Sequence, residues 1–150
     1  MNQHDYAALA AQGYNRVPVH REVLADFETP LSTYRKLAEG PYSYLFESVE
    51  GGEKWGRYSI IGLPCRQSIR VFGNRIEQWD SGELTSTQIS DDPLAFIEQF
   101  QASIRSPAVA ELQVFYGGLV GIFGYDTVRY VEQRLRDSCH PDQLQTPDIL

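Results

Sequence analysis

The spacing of apolar residues changes along the chain, and each change predicts an element. Asp5 to Gln12 reads as a short helix with Gly13 beyond its end. Val17 to Leu24 reads as extended, and Pro18 favours an edge position because it lacks an N–H to donate. Thr29-Pro30 then supplies an N-cap followed by proline at the first helical position. Leu31, Tyr34, Leu37 and Ala38 recur on one helical face, and Gly40 ends that helix. Beyond it the period falls to that of strands. Tyr42 to Val49 and Tyr58 to Leu63 predict a hairpin joined by the loop Glu50 to Gly56. Gln67 to Phe72, Arg75 to Asp80 and Leu84 to Ile89 predict a meander, with Gly73-Asn74 and Ser81-Gly82 as its turns.

The helical period returns at Asp92-Pro93, where Leu94, Ile97, Phe100 and Ile104 supply an apolar stripe that stops before Pro107. Val114 to Phe123 is almost wholly apolar or glycine and predicts a strand buried on both faces. Asp126 is expected to cap a further helix through about Leu135. Runs of antiparallel strands with helices at intervals predict an α+β fold in one domain spanning 1–150. The final TPDIL reads as a turn feeding an apolar strand, which is the expectation for a piece of a longer protein.

Composition narrows the class. With 42% hydrophobic residues the chain can bury a core, and its net charge of -7 without a Lys/Arg block argues against nucleic acid and anionic membranes as partners. The first residues, MNQHDYAALAAQGYN, lack the basic and apolar regions of a signal peptide, and Leu119 to Phe123 is too short to span a bilayer. Cys65 and Cys139 make no disulfide framework, so a reduced, cytoplasmic setting is expected. His4, His20 and His140 are scattered without metal-ligand spacing. The glycines of FYGGLVGIFGYD read G-G-x-x-G-x-x-G, which is no dinucleotide fingerprint, and glycines within a strand mark a bulge or close backbone approach. Asp126 and Arg129 read as a cap with a local ion pair.

The stretch LFESVEGGEKWGRYSIIG is chemically richer. In a regular strand Glu47 and Ser48 point to opposite faces, and Ser48 shares its face with Phe46 and Tyr44. That combination makes an aromatic wall with one hydroxyl, suited to a small molecule. Arg57 offers a two-pronged donor for a carboxylate. Together these groups suit an amino acid. An exposed Glu–Arg pair across a hairpin explains the same residues without any ligand, and on the residues alone that plainer reading is preferred.

This stretch resembles a signature of anthranilate synthase component I, the large subunit: an L-L-E-S element, a short loop, then an R-Y-S-F/I-I-G-like strand. GGLVGIFGYDTVRYVE is similar to the family's second N-terminal signature, a glycine-rich strand followed by Y-D-x-V-R. The resemblance covers nearly all of the chain. Phe46 stands where leucine is usual, which would reshape an apolar pocket, and Ile122 stands where an aromatic is common.

The resemblance implies helices outside antiparallel sheets that pack on one another. It implies a whole enzyme that converts chorismate and glutamine, or ammonia, to anthranilate in tryptophan biosynthesis, with Mg²⁺ and a glutamine amidotransferase subunit. In that family the catalytic and metal-binding residues lie in the C-terminal part, so none is expected in 1–150. The N-terminal part contributes the feedback site for tryptophan, and carried onto this sequence that makes Ser48, Arg57 and Tyr58 the leading site residues, with Glu47 and Gly56 beside them. The related aminodeoxychorismate synthase is a rival, although its equivalent strand more often reads R-F-D than R-Y-S. A free-standing amino-acid-binding module is a rival from another class, and a structural domain with a solvated charged rim is the plain alternative.

Overall fold

The computed structural model describes residues 3–47, 58–109, 112, 115–136 and 146–150. The chain divides into two units: Glu22–Ser68, and Met1–Arg21 together with Ile69–Leu150. The architecture is α+β, with two small antiparallel sheets and flanking helices.

In the Glu22–Ser68 unit, helix α2 (Pro30–Leu37) starts where the sequence predicts. The Ser32 N–H donates to Thr29 Oγ1 at 3.1 Å and the Thr29 N–H donates to Ser32 Oγ at 2.9 Å, a reciprocal capping box. Proline follows the cap, where its missing N–H leaves no bond unmade. Ala38 is buried, while Leu31 and Leu37 of the predicted apolar face stay exposed within this unit. Gly40 adopts φ +140, a conformation that favours glycine, and the chain turns into β1 (Tyr44–Glu47). β1 pairs antiparallel with β2 (Ser59–Gly62) in the register Tyr44↔Gly62, Leu45↔Ile61, Phe46↔Ile60, Glu47↔Ser59. Helix α2 packs on both strands, and the Tyr34 and Ser43 hydroxyls lie 3.0 Å apart.

The other unit begins with α1 (Gln3–Ala11), which ends before Gly13 at φ +85. Its sheet has the order β3 (Gln67–Phe72), β4 (Arg75–Asp80), β5 (Glu83–Ile89), as the turn residues predict. Ser81 and Gly82 both take positive φ, +53 and +85, which gives a two-residue turn the twist of its flanking strands. Helix α3 (Pro93–Ala102) is capped by Asp92, whose Oδ1 accepts from the Ala95 N–H at 2.9 Å. Val71, Ile76 and Ile149 form the buried centre, with Ile69, Leu94, Phe96, Ile97 and Tyr130 packed around it. The transfer of these side chains from water is the main favourable term holding the unit together.

Three sequence expectations change. Val17 to Leu24 forms no strand, and Val19, Val23 and Leu24 are exposed. The run predicted as a buried strand from Val114 to Phe123 is not one over its described residues: Phe115, Tyr116, Ile122 and Phe123 are exposed, and ladder bonds appear only at its end. There Ile122 and Leu150 exchange N–H···O=C bonds of 2.6 and 3.0 Å, and the Gly124 N–H donates to the Asp148 carbonyl at 2.7 Å. Residues 148–150 thus lie between 122–124 and β3, because the Val71 N–H donates to the Ile149 carbonyl at 2.9 Å on their other side. Apolar character made the segment attractive as a core strand, but a strand needs paired neighbours, and Gly118 at φ +146 departs from strand geometry.

The third change is the helix expected from Asp126. It is a 3₁₀ turn (Tyr125–Thr127), then α4 (Val128–Val131), then α5 (Gln133–Arg136). Glu132 at φ -100, ψ 100 interrupts the helical geometry. Asp126 is not the cap, a place held by Gly124, but the local ion pair is present: Arg129 Nη2 lies 3.0 Å from Asp126 Oδ1.

Candidate ligand site at the hairpin end

Of the five residues singled out in the sequence, the structure places two. Glu47 closes β1 opposite Ser59, and Tyr58 enters β2 directly before it. Both are exposed at the same end of the hairpin. Ser48, Gly56 and Arg57 lie outside the described residues, as does the predicted loop Glu50 to Gly56.

The register assigns the side chains to faces. Directly opposed residues share a face, so Leu45, Glu47, Ser59 and Ile61 form one side and Tyr44, Phe46, Ile60 and Gly62 the other. The first side turns toward the start of α2. There Ser59 and Ile61 join Ala25, Glu28, Thr29, Pro30 and Thr33 around a hollow of about 340 Å³. Glu28 at its rim is engaged: Lys36 pairs with Oε1, and the Ser32 hydroxyl donates to Oε2 at 2.6 Å. These two hydrogen bonds, the lysine's first, hold the carboxyl below its usual range.

The second side is aromatic. Tyr44 and Phe46 rings stack at 4.7 Å between centroids, tilted by 34°. The Tyr44 ring covers Gly62, its cross-strand partner, so closely that a Cβ at 62 would collide with three of its ring atoms. Sequence reading found the aromatic wall but missed the glycine, whose need arises from a partner on the other strand. An aromatic residue facing a glycine across a hairpin is the signal that could have pointed to it.

Elsewhere, polar groups are spent on structure. Glu77 is buried beneath β4's own neighbours: Arg75 pairs with Oε1, the Trp79 Nε1–H donates to Oε2 at 3.0 Å, and the Arg70 guanidinium lies 4.3 Å from the Trp79 ring centroid. His4 and His20 are exposed, and the exposed Cys65 thiol donates to the Gln67 carbonyl at 3.2 Å. Among the described residues no three His, Cys, Asp or Glu side chains converge as a metal site. No helix among them is long and apolar enough to cross a membrane.

No protein-family model matches the chain. Curated proteins do, over its whole length. It is 57% identical over 150 residues to anthranilate synthase component 1 of Pseudomonas aeruginosa and 54% identical over 150 residues to that of Pseudomonas putida. It is 48% identical over 153 residues to that of Neisseria meningitidis. In each case 100% of this chain is covered, and the chain spans about 30% of the relative's length.

Proposed function

Since this chain corresponds along its whole length to the N-terminal part of anthranilate synthase component 1, we propose that it is the regulatory and scaffolding portion of a protein that makes anthranilate from chorismate. Glutamine, through a glutamine amidotransferase subunit, or free ammonia supplies the nitrogen. Chemistry and Mg²⁺ belong to the remainder of the protein, and 1–150 alone is inactive. The identity of 48–57% over the full chain is the observation that carries this reading.

The hairpin end is the portion's ligand site, and its ligand is tryptophan acting as a feedback inhibitor. Ser48, Arg57 and Tyr58 lead the site, with Glu47 and Gly56 beside them. The guanidinium of Arg57 suits the inhibitor's carboxylate, and the Ser48 hydroxyl suits its ammonium. The placement of Glu47 and Tyr58 at one end of a short antiparallel pair supports this assignment. Inhibition requires that tryptophan bind one arrangement of the whole protein more tightly than another, so these residues control a population and leave the reacting atoms untouched.

In the full-length protein, Ser48→Leu is expected to relieve tryptophan inhibition and leave uninhibited turnover of chorismate and ammonia largely intact. Inhibition unchanged by this substitution would remove the site from the hairpin. Purified 1–150 given chorismate, Mg²⁺ and ammonia should form no anthranilate.

A further inference from the structure

We propose that Tyr130 and Asp148 form a releasable latch on residues 148–150, and that its closed form is the arrangement to which the inhibitor binds more tightly. This rests on the reading of the whole protein as one controlled by tryptophan, and adds an element through which binding acts.

The latch works because one proton has two acceptors. The Tyr130 hydroxyl can donate to Asp148 Oδ2 at 2.5 Å or to the Gly73 carbonyl at 2.9 Å. Donation to Asp148 ties α4 to residues 148–150, and donation to Gly73 ties it to the β3–β4 turn. Either bond satisfies the half-buried hydroxyl, so letting Asp148 go orphans no buried donor. The Gly73 N–H, which donates to the same carboxylate oxygen at 2.8 Å, belongs to an exposed residue that water reaches. Release therefore costs charge-assisted hydrogen bonds and leaves no unmet group behind, which is what a two-state contact requires.

The latch also sits where two stretches of chain meet. The unit that holds the hairpin ends at Ser68, and β3 begins at Gln67, so the chain runs straight from one into the other. β3 holds 148–150 through Val71, whose N–H donates to the Ile149 carbonyl at 2.9 Å and whose carbonyl accepts the Asp148 N–H at 2.7 Å. The matched part is about 30% of the relatives' length, so 148–150 leads from this N-terminal part toward the remainder. Ile149 is anchored in the core, so opening loosens the Asp148 end and leaves the strand in place. A ligand that binds an ordered arrangement is opposed less when that order is already present, and the closed latch supplies it. Tyr130 and Asp148 are thus positioning residues, acting through 148–150.

The test uses the full-length protein and measures anthranilate formation against L-tryptophan concentration in Tyr130→Phe and Asp148→Asn, with Ser48→Leu and Asn15→Ala as controls. Tyr130→Phe keeps the ring and removes the proton that closes the latch. It should raise the tryptophan concentration for half inhibition by about 2- to 10-fold, the factor that one lost hydrogen bond represents, and leave uninhibited turnover largely intact. Asp148→Asn keeps an acceptor but loses its charge, so its shift should be smaller and should add little to that of Tyr130→Phe. Tryptophan should slow hydrogen exchange in 146–150 of the wild type, and slow it less in Tyr130→Phe. Asn15→Ala loosens the same unit at other hydrogen bonds, those to Ser103 and Arg105, and should leave the half-inhibiting concentration unchanged.

If Ser48→Leu relieves inhibition while Tyr130→Phe leaves the half-inhibiting concentration unchanged, the latch is overturned and the hairpin reading survives. Equal shifts in Tyr130→Phe and Asn15→Ala mean that only stability is being read, which also overturns it. If Ser48→Leu changes nothing, the hairpin reading falls, and Tyr130→Phe still decides the latch because its readout is inhibition itself. Absence of any inhibition by tryptophan overturns both.

Discussion

The Tyr130 hydroxyl lies 2.5 Å from Asp148 Oδ2, bringing a residue of α4 onto the segment that pairs with β3. The same carboxylate oxygen accepts the Gly73 N–H at 2.8 Å, and the Tyr130 hydroxyl is 2.9 Å from the Gly73 carbonyl. One short cluster thus ties the β3–β4 turn, α4 and residues 148–150 around the core made by Val71, Ile76 and Ile149.

Burial, and then the neighbouring Asp148 carboxylate, push the Tyr130 hydroxyl well above the usual tyrosine range. A proton held more tightly in the folded protein gives stability that is complete below the unfolded value of about 10 and is lost as pH rises through the folded value. Tyr130→Phe is therefore expected to cost about 1–2 kcal/mol at neutral pH through its lost hydrogen bond. Urea unfolding of both proteins at neutral and alkaline pH checks the sign: the gap between them should shrink as pH rises above about 10.

Gly121 sits beside the same junction. A Cβ there would collide with the Leu150 carbonyl oxygen, a backbone atom held by the Ile122 N–H at 2.6 Å. Gly121→Ala is expected to destabilise by about 1–3 kcal/mol and to expose the amides of 122–124 and 148–150 to hydrogen exchange. Gly73→Ala is the comparison, since no atom lies within 4 Å of its added Cβ. Its cost comes from φ +59 alone, about 1–2 kcal/mol, and its exchange should rise at the β3–β4 turn instead.

Asn15 joins two distant stretches of the chain. Its Nδ2 donates to the Ser103 carbonyl at 2.7 Å, and its Oδ1 accepts the Arg105 N–H at 2.8 Å, which satisfies groups at the end of α3. Asn15→Ala should cost about 1–2 kcal/mol and accelerate exchange in 3–16 ahead of the core. Asn15→Asp should not rescue it, because a carboxylate oxygen would then face the Ser103 carbonyl.

Much of this was legible where the cause is local. The meander followed from alternation and from Gly73-Asn74 and Ser81-Gly82, and both helix starts followed from Thr29-Pro30 and Asp92-Pro93, because turns and caps are written in adjacent residues. The apolar TPDIL did feed a pairing segment, with Ile149 buried between Val71 and Phe123. What stayed hidden depends on partners far along the chain. The run ending at Phe123 looked like a core strand, yet among its described residues only the last pair with a neighbouring segment, 148–150. At the candidate site the aromatic wall was visible, but Gly62 acquired meaning only when register set it against Tyr44.

The start of α2 gives a prediction of opposite pH sign. Thr29 and Ser32 cap each other, and Glu28 accepts from Ser32 and pairs with Lys36 one turn further on. Thr29→Ala removes the cap and should cost about 1 kcal/mol. Glu28 behaves differently, because its carboxyl is held below the usual value by the lysine and then by the serine. A depressed folded value gives stability that is present above the unfolded value and lost as pH falls through the folded one. Wild type should therefore lose an advantage over Glu28→Gln on acidification below about pH 4, whereas the deficit of Thr29→Ala should persist there, since a hydroxyl cap does not titrate. The Glu28 effect should also fade in high salt, as exposed ion pairs do. Thermal unfolding at pH 3 and pH 7, each at low and high salt, separates the two contributions. An acid-independent Glu28→Gln difference would mean that the carboxylate does not act through its charge.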